Sequence, residues 1–442
     1  MRCHADIHPV TSVGECLSKD VIEFANCLPL AWEVETVRRI FSAAVFALVL
    51  LNAGCAQDKT SAEEGVVSQS WPDEEWETSS LEAEGIDPLP IAGFVEEIKS
   101  GKYGMVDNFL LIRHGRVVVD ERFKRDYQAV AAKVQPEERI GLNRRDPKYD
   151  YENADYHPYY QGTNLHSLQS VSKSVTSLAL GIAIDKGFIE GVDVPALPFF
   201  DAYDFDKSDP RRAAMTIEDL LTMRSGIEWE PEGSFQDPEI STVSLENADA
   251  WIQFILDHPM DADPGTTFEY NDGASVLLGK IVGVATGQRL DAWTAQQLFD
   301  PIGIDNFYWK ATPDGEIDSM GGLYLAPHDL ARIGLMVLHD GMWKDKRVVS
   351  EDWIRQSTST QVADTAPNDT DDDTSYGYQW WLPSHKTGEP RVISARGFGG
   401  QRLSVVPELD LIIVFNGWDL RGKYWAAGQA FRTEVLPKAI RN

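Results

Sequence analysis

Residues 166–189 read HSLQSVSKSVTSLALGIAIDKGFI. Val171, Val175, Leu178 and Ile182 recur at helical spacing, so the stretch predicts an amphipathic helix that begins near Ser170. Ser170 and Lys173 then lie on one face, about one turn apart. In that geometry a lysine amine can take the proton of a serine hydroxyl. The positive end of the helix and its free backbone N–H groups would favour any oxyanion formed beside them. Serine acyl transfer uses this Ser-x-x-Lys spacing. The same tetrapeptide also suits a small polar cap on a helix with a solvated lysine. It is the only Ser-x-x-Lys in the chain, and it falls at a helix start.

With 442 residues, 43% of them hydrophobic, the chain can bury a sizeable core, as one two-lobed unit or as two domains. Its formal net charge of -30 repels phosphate backbones and anionic headgroups, which argues against nucleic acid as a partner. The four cysteines are Cys3, Cys16, Cys27 and Cys55. The remainder has no cysteine, hence no disulfide and no thiolate metal site.

Arg38 and Arg39 precede an apolar run, 40–51, followed by Asn52-Ala53-Gly54-Cys55. A basic stub, a short apolar stretch and small residues make a secretory signal, and the run is shorter than the ~20 residues of a membrane-spanning helix. A cysteine after Ala-Gly resembles a bacterial lipoprotein signal. That resemblance implies lipid attachment at Cys55 and a place in the cell envelope, the lipid being the chain's one link to a membrane. Asn52 stands where such signals usually carry an aliphatic residue. The alternative is an ordinary signal peptide with an incidental cysteine. Residues 1–55 thus read as a leader, 56–87 as an acidic flexible tether, and 88–442 as the folded domain.

In the folded part, DNFLLIRHGRVVVDERF predicts two strands around a turn at His114-Gly115. A Tyr- and Arg-rich stretch, 128–160, reads as a surface insertion bordering the site. Helical patterns follow at 245–258, 273–287, 292–299, 327–340 and 350–356. The last hundred residues return to strands, SYGYQWWLP and RVISARGFGGQRLSVVPELDLIIVFNGW, before a final helix at 424–440. Strands at both ends and helices between them predict an α+β fold: an antiparallel sheet flanked by helices, with a helical lobe inserted. The Ser170 helix lies at the junction, where clefts form.

Two further segments carry polar chemistry. Tyr270-Asn271-Asp272 ends a Pro-Gly loop and opens a helix. A phenol held near an ammonium is favoured as phenolate and can shuttle a proton, although Tyr270 also suits a buried aromatic and Asp272 a helix N-cap. Ala395-Arg396-Gly397-Phe398-Gly399-Gly400 opens an apolar strand. Glycines there let a substrate lie against a strand edge, and a backbone N–H could complete an oxyanion hole. A bulged hairpin is the alternative.

Ser170-x-x-Lys173, Tyr270-Asn-Asp272 and a Gly-rich strand, in this order, resemble the serine beta-lactamase and penicillin-binding protein superfamily, in particular class C beta-lactamase-type hydrolases such as esterases and 6-aminohexanoate-dimer hydrolase-like proteins. The segments EDLLTMRSGIEW, PGTTFEYNDGASVLLGKIVG, GGLYLAPHDLARIGLMVLHDGMW and YGYQWWLP extend the resemblance over roughly 90–442. It implies the beta-lactamase fold, Ser170 as nucleophile, Lys173 as its base and Tyr270 as proton relay to the leaving group. Asp272 falls where the family has Asn and would face substrate. Ala395-Arg396-Gly397 matches the family's Lys-Thr-Gly strand, with Arg396 supplying positive charge. Phe398 N–H and Ser170 N–H would form the oxyanion hole. Lys386-Thr387-Gly388 reads literally as Lys-Thr-Gly, but Glu389-Pro390 follow it and it reads as a turn.

The expected activity is hydrolysis of a small-molecule ester or amide through an acyl-enzyme, with no cofactor and no metal. Beta-lactamase or D,D-peptidase activity is the alternative within the enzyme class. An inactive envelope binding module is the alternative outside it. No Gly-x-Ser-x-Gly elbow or His-Glu-x-x-His zinc motif competes.

Overall fold

The computed structural model describes residues 68–440 except 141–145, 232, 234–235, 238, 366–373 and 385–388. Cys55, the leader and Lys386-Thr387-Gly388 lie outside the described residues.

Val106–Arg113 (β1) is buried along nearly its whole length, whereas Arg116–Arg122 (β2) alternates buried and exposed positions. That contrast is the signature of an interior strand beside an edge strand. The turn between them carries φ of 50° at His114 and 72° at Gly115, as a two-residue hairpin requires. At Gly115 a Cβ would fall 1.8 Å from the Ser70 carbonyl oxygen. Five more strands come from the other end of the chain: Thr374–Tyr376 (β3), Trp381–Pro383 (β4), Ile393–Gly397 (β5), Gln401–Val406 (β6) and Leu411–Gly417 (β7). The sheet runs β2-β1-β7-β6-β5-β4-β3, antiparallel throughout. β1 and β7 zip the two ends of the domain together, with Phe109 opposite Phe415.

Both faces of the sheet are covered. On one, Pro88–Lys99 (α1) and the terminal helical segment 426–439 close over Phe94, Phe109, Phe415 and Phe431. The rings of Phe109 and Phe415 stack with centroids 4.9 Å apart. On the other lie Val171–Asp185 (α2), Asp272–Thr286 (α3) and Pro327–Leu338 (α4). The residues of α2 from Val171 to Ala183 are buried, so it is a central helix and not a surface one. α4 comes so near the sheet that a Cβ on Gly334 would meet Leu403 and Ile412 at 2.8 and 2.9 Å. The α+β arrangement expected from the sequence is the one observed.

Three segments depart from expectation. Residues 68–87 are not part of a tether. Ser70 N–H donates to the His114 carbonyl and Ser79 N–H to the Val117 carbonyl, Ile86 is buried, and Asp87 caps α1. The acidic composition hid Trp71, Trp76, Leu81 and Ile86, whose apolar side chains hold this stretch on the body. Residues 128–160 are not wholly superficial, since Tyr149, Tyr151 and His157 are buried. The helical pattern at 245–258 is two helices, Ser241–Glu246 and Trp251–Asp257. Asn247 and Asp249 interrupt it, because short polar side chains compete for backbone hydrogen bonds.

The aromatic cluster on the α1 face stands apart from the Ser170 helix. Phe109→Ala should therefore lower unfolding stability in urea by about 3–5 kcal/mol. The chemistry of the molecules that remain folded should be unchanged.

Candidate active site

The chain enters α2 through a sharp turn. His166–Ser167 pairs with Leu323–Leu325, and Gln169 then adopts φ 47°, uncommon for a residue with a side chain. Gln169 Nε2 donates to Ser167 Oγ at 3.0 Å, which ties the turn down. Ser170 stands just before the helix, half-buried, and its hydroxyl makes no cap bond to the helix backbone. The hydroxyl is left to the site.

Lys173, one turn on, is 1% exposed. Its Nζ donates to Ser170 Oγ at 2.9 Å and to the Met320 carbonyl at 2.8 Å, and it stands 2.6 Å from Asp272 Oδ1. Burial works against the Lys173 charge. The Asp272 carboxylate, with help from Tyr270, outweighs burial and holds the pKa above the ordinary lysine value. The resting side chain is an ammonium.

Tyr270 reaches the same point from the loop before α3. Its phenol interacts with Ser170 and Lys173, and Lys173 Nζ lies 5.2 Å from its ring centroid. The expected phenolate is corrected here. Burial raises the phenol pKa, Asp272 adds to it, and together they exceed the pull of Lys173. Tyr270 is a neutral phenol at neutral pH, able to donate a proton.

Asp272 also differs from expectation. The N-cap of α3 is Asn271, whose Oδ1 accepts the Ala274 N–H at 3.0 Å. Asp272 is the first helical residue. One carboxylate oxygen meets Lys173 and the other accepts the Thr242 hydroxyl. Both oxygens are engaged by protein groups, whereas alignment with the family's Asn implied a contact to substrate.

The strand β5 forms the opposite wall. A Cβ on Gly397 would stand 2.4 Å from the Leu168 carbonyl oxygen and 3.1 Å from Ser170 N. Only a residue without a side chain fits against the helix start. Phe398 follows at the hairpin loop, where Gly399 and Gly400 have φ of 81° and 109°. Its ring lies near Tyr151 and Tyr424. Arg396 places its guanidinium 5.3 Å from the Trp381 centroid, and Trp381 stacks on Tyr270 at 5.6 Å. Arg396, Trp381 and Tyr270 therefore form one layered wall. The structure thus assembles Ser170, Lys173, Tyr270 and Asp272, with Gly397 against the Ser170 backbone and Arg396 beside Trp381. Sequence reasoning missed Thr242 and the Met320 carbonyl, which carry no motif.

The Beta-lactamase family profile matches residues 97–419. The chain belongs to that family. Among its relatives, a 6-aminohexanoate-dimer hydrolase of Paenarthrobacter ureafaciens is 25% identical over 285 residues, 59% of this chain and 68% of the hydrolase. A lovastatin esterase of Penicillium rubens is 25% identical over 193 residues, 39% of this chain and 46% of the esterase. A Bacillus anthracis structure provisionally named a 6-aminohexanoate-dimer hydrolase superposes with a TM-score of 0.59. It shares 17% identity and covers 84% of this chain and 87% of its own, a likeness of fold. This Beta-lactamase family member is a serine hydrolase.

Gly397→Ala should displace the strand from the helix start. Overpacking of this kind costs about 1–3 kcal/mol. Since misplacement by about 1 Å can cost about 10²-fold, kcat/KM should fall by that order while circular dichroism stays native.

Proposed function

We propose that Ser170 is the nucleophile and that the protein cleaves a small ester or amide through an acyl-enzyme. One observation carries this reading: a half-buried hydroxyl at a helix start, 2.9 Å from a lysine Nζ that is itself held by Asp272. Ser170 Oγ attacks the carbonyl carbon, and its proton passes to Lys173 in the amine form. The negative charge on the carbonyl oxygen is met by the Ser170 N–H and the Phe398 N–H at the notch beside Gly397. Tyr270 hands a proton to the departing alkoxide or amine and recovers one from Lys173. Water then attacks the acyl carbon along the same path and frees Ser170. The named relatives act on an amide and on an ester, which supports keeping both bond types.

Arg396 in place of lysine supports a hydrolase over a true beta-lactamase or D,D-peptidase, whose lysine would meet a substrate carboxylate. The combination of Ser170, Lys173 and Tyr270 speaks against an inactive binding module. A fluorophosphonate probe should label the wild type and not Ser170→Ala, at equal thermal stability. Among p-nitrophenyl esters, a chromogenic cephalosporin, D-amino acid amides and short amide oligomers, turnover of an ester or amide is expected. EDTA should leave it intact. Label retained in Ser170→Ala would overturn the assignment.

We further propose export and lipid attachment at Cys55, supported by Arg38-Arg39, the apolar run and Ala53-Gly54-Cys55. Mass spectrometry of the mature N-terminus should find a modified Cys55. Cys55→Ser should release the protein from the membrane fraction or block its maturation. An unmodified Cys55 would refute this.

A further inference from the structure

Asp272 occupies a position where the resemblance implied a contact to substrate, yet both oxygens of its partly buried carboxylate are taken by protein groups. Oδ1 lies 2.6 Å from Lys173 Nζ, and Oδ2 accepts the Thr242 hydroxyl from the helix Ser241–Glu246. Thr242 is 8% exposed and Lys173 1%. The carboxylate is therefore clamped between a buried ammonium and a buried hydroxyl on another element. Being the first residue of α3, it is also fixed by the helix that Asn271 caps. A group so held is placed to act on the lysine and not on a ligand in the cleft.

We propose that Asp272 is a positioning residue that fixes Lys173 between Ser170 and the Met320 carbonyl and sets the pH at which Lys173 becomes the base for Ser170. This rests on the hydrolase reading above and deepens it.

The surroundings make the carboxylate the deciding partner. Tyr270 also favours the Lys173 charge, but less than Asp272 does, while Ser170 is a neutral hydroxyl and Met320 offers only a carbonyl. Asp318, buried, interacts with Lys173 from the segment before β-strand Leu323–Leu325. Its charge is already opposed by Lys310, and its own pKa is raised by burial. Glu246 and Tyr151 face Asp272 from behind. Burial keeps Glu246 largely protonated, at a pKa of about 8. Arg396 places its guanidinium on Trp381, 5.3 Å from the ring centroid. At 2.6 Å, Asp272 is the one carboxylate in direct contact with the amine among the described residues.

The sign follows. Activation of Ser170 needs Lys173 without its third proton. Asp272 favours the protonated form, so the rate should rise with pH well into the alkaline range. Removing the charge of Asp272 takes away the strongest influence that opposes burial, and burial favours the amine. The rising limb should then move to lower pH, by about one to three units for an opposite charge this close.

The experiment is the rate of fluorophosphonate labelling as a function of pH, since this probe reports Ser170 activation with little substrate recognition. Wild type should climb into the alkaline range. Asp272→Asn, nearly isosteric, should level off at least about one pH unit lower. With an ester substrate, the same variant should keep its KM while the kcat limb moves. An unmoved limb, or a raised KM with an unmoved limb, would overturn the proposal and return Asp272 to substrate binding. Should Asp272→Asn fail to fold, the wild type itself still decides. The Lys173 Cε resonance in protein labelled with 13C-lysine should titrate above the ordinary lysine value of ~10.4, and titration below it would refute the proposal. Loss of label in Ser170→Ala checks the hydrolase reading separately.

Discussion

A lysine ammonium taken out of water governs this structure. Lys173 is 1% exposed in the middle of the helical layer, and an unpaired charge there would cost several kcal/mol. The fold answers with acceptors from three places in the chain: Ser170 on the same helix, Asp272 at the start of α3 and the Met320 carbonyl before Leu323–Leu325. Because an ammonium has three hydrogens in fixed directions, these segments cannot drift independently. The placement of the Ser170 hydroxyl is thus tied to satisfying a buried charge. The same arrangement sets a chemical condition: a well-paired lysine is a poor base until it is relieved of a proton.

The sheet supplies the other half of the site by topology. β1 comes from the beginning of the domain and β3 to β7 from its end, so the helices between them are held against one face. β5 then runs along the start of α2, and the absence of a side chain at Gly397 lets strand and helix backbones meet. Neither element has this surface alone. The cleft wall is likewise composite, with Tyr270 from the helical layer stacked on Trp381 from β4, and Arg396 of β5 laid over the same indole.

Behind the site lies a second buried polar layer. Lys310 sits 4.8 Å from the Tyr149 ring centroid, near Asp318, and burial lowers its pKa. Tyr151 donates to Glu246, whose pKa burial lifts to about 8. These residues come from 149–151, 246 and 310–318, and they draw Tyr149 and Tyr151 of an otherwise polar stretch into the interior. Tyr151 looked like surface decoration, yet its hydroxyl is buried with Glu246 as partner.

Some of this was legible from residues alone. The period of α2, the hairpin at His114-Gly115 and the strands at both ends of the domain are local patterns, set by side chains a few positions apart. Ser170, Lys173 and Tyr270 were likewise readable, because Ser-x-x-Lys depends on the pitch of one helix and Tyr270 sits in a short motif before another. What Asp272 does was not readable. Its spacing aligns it with a substrate contact, and only the packing of α3 on α2 and on Ser241–Glu246 turns its carboxylate toward Lys173 and Thr242. Residues 68–87 misled for a related reason: their charges dominate the composition, while a few aromatic and aliphatic side chains decide where the segment lies. Sequence determined which groups could react, since that follows from residue type and local spacing. Tertiary structure decided their protonation and their partners, since charge interactions and burial act through space between segments that the chain order keeps far apart.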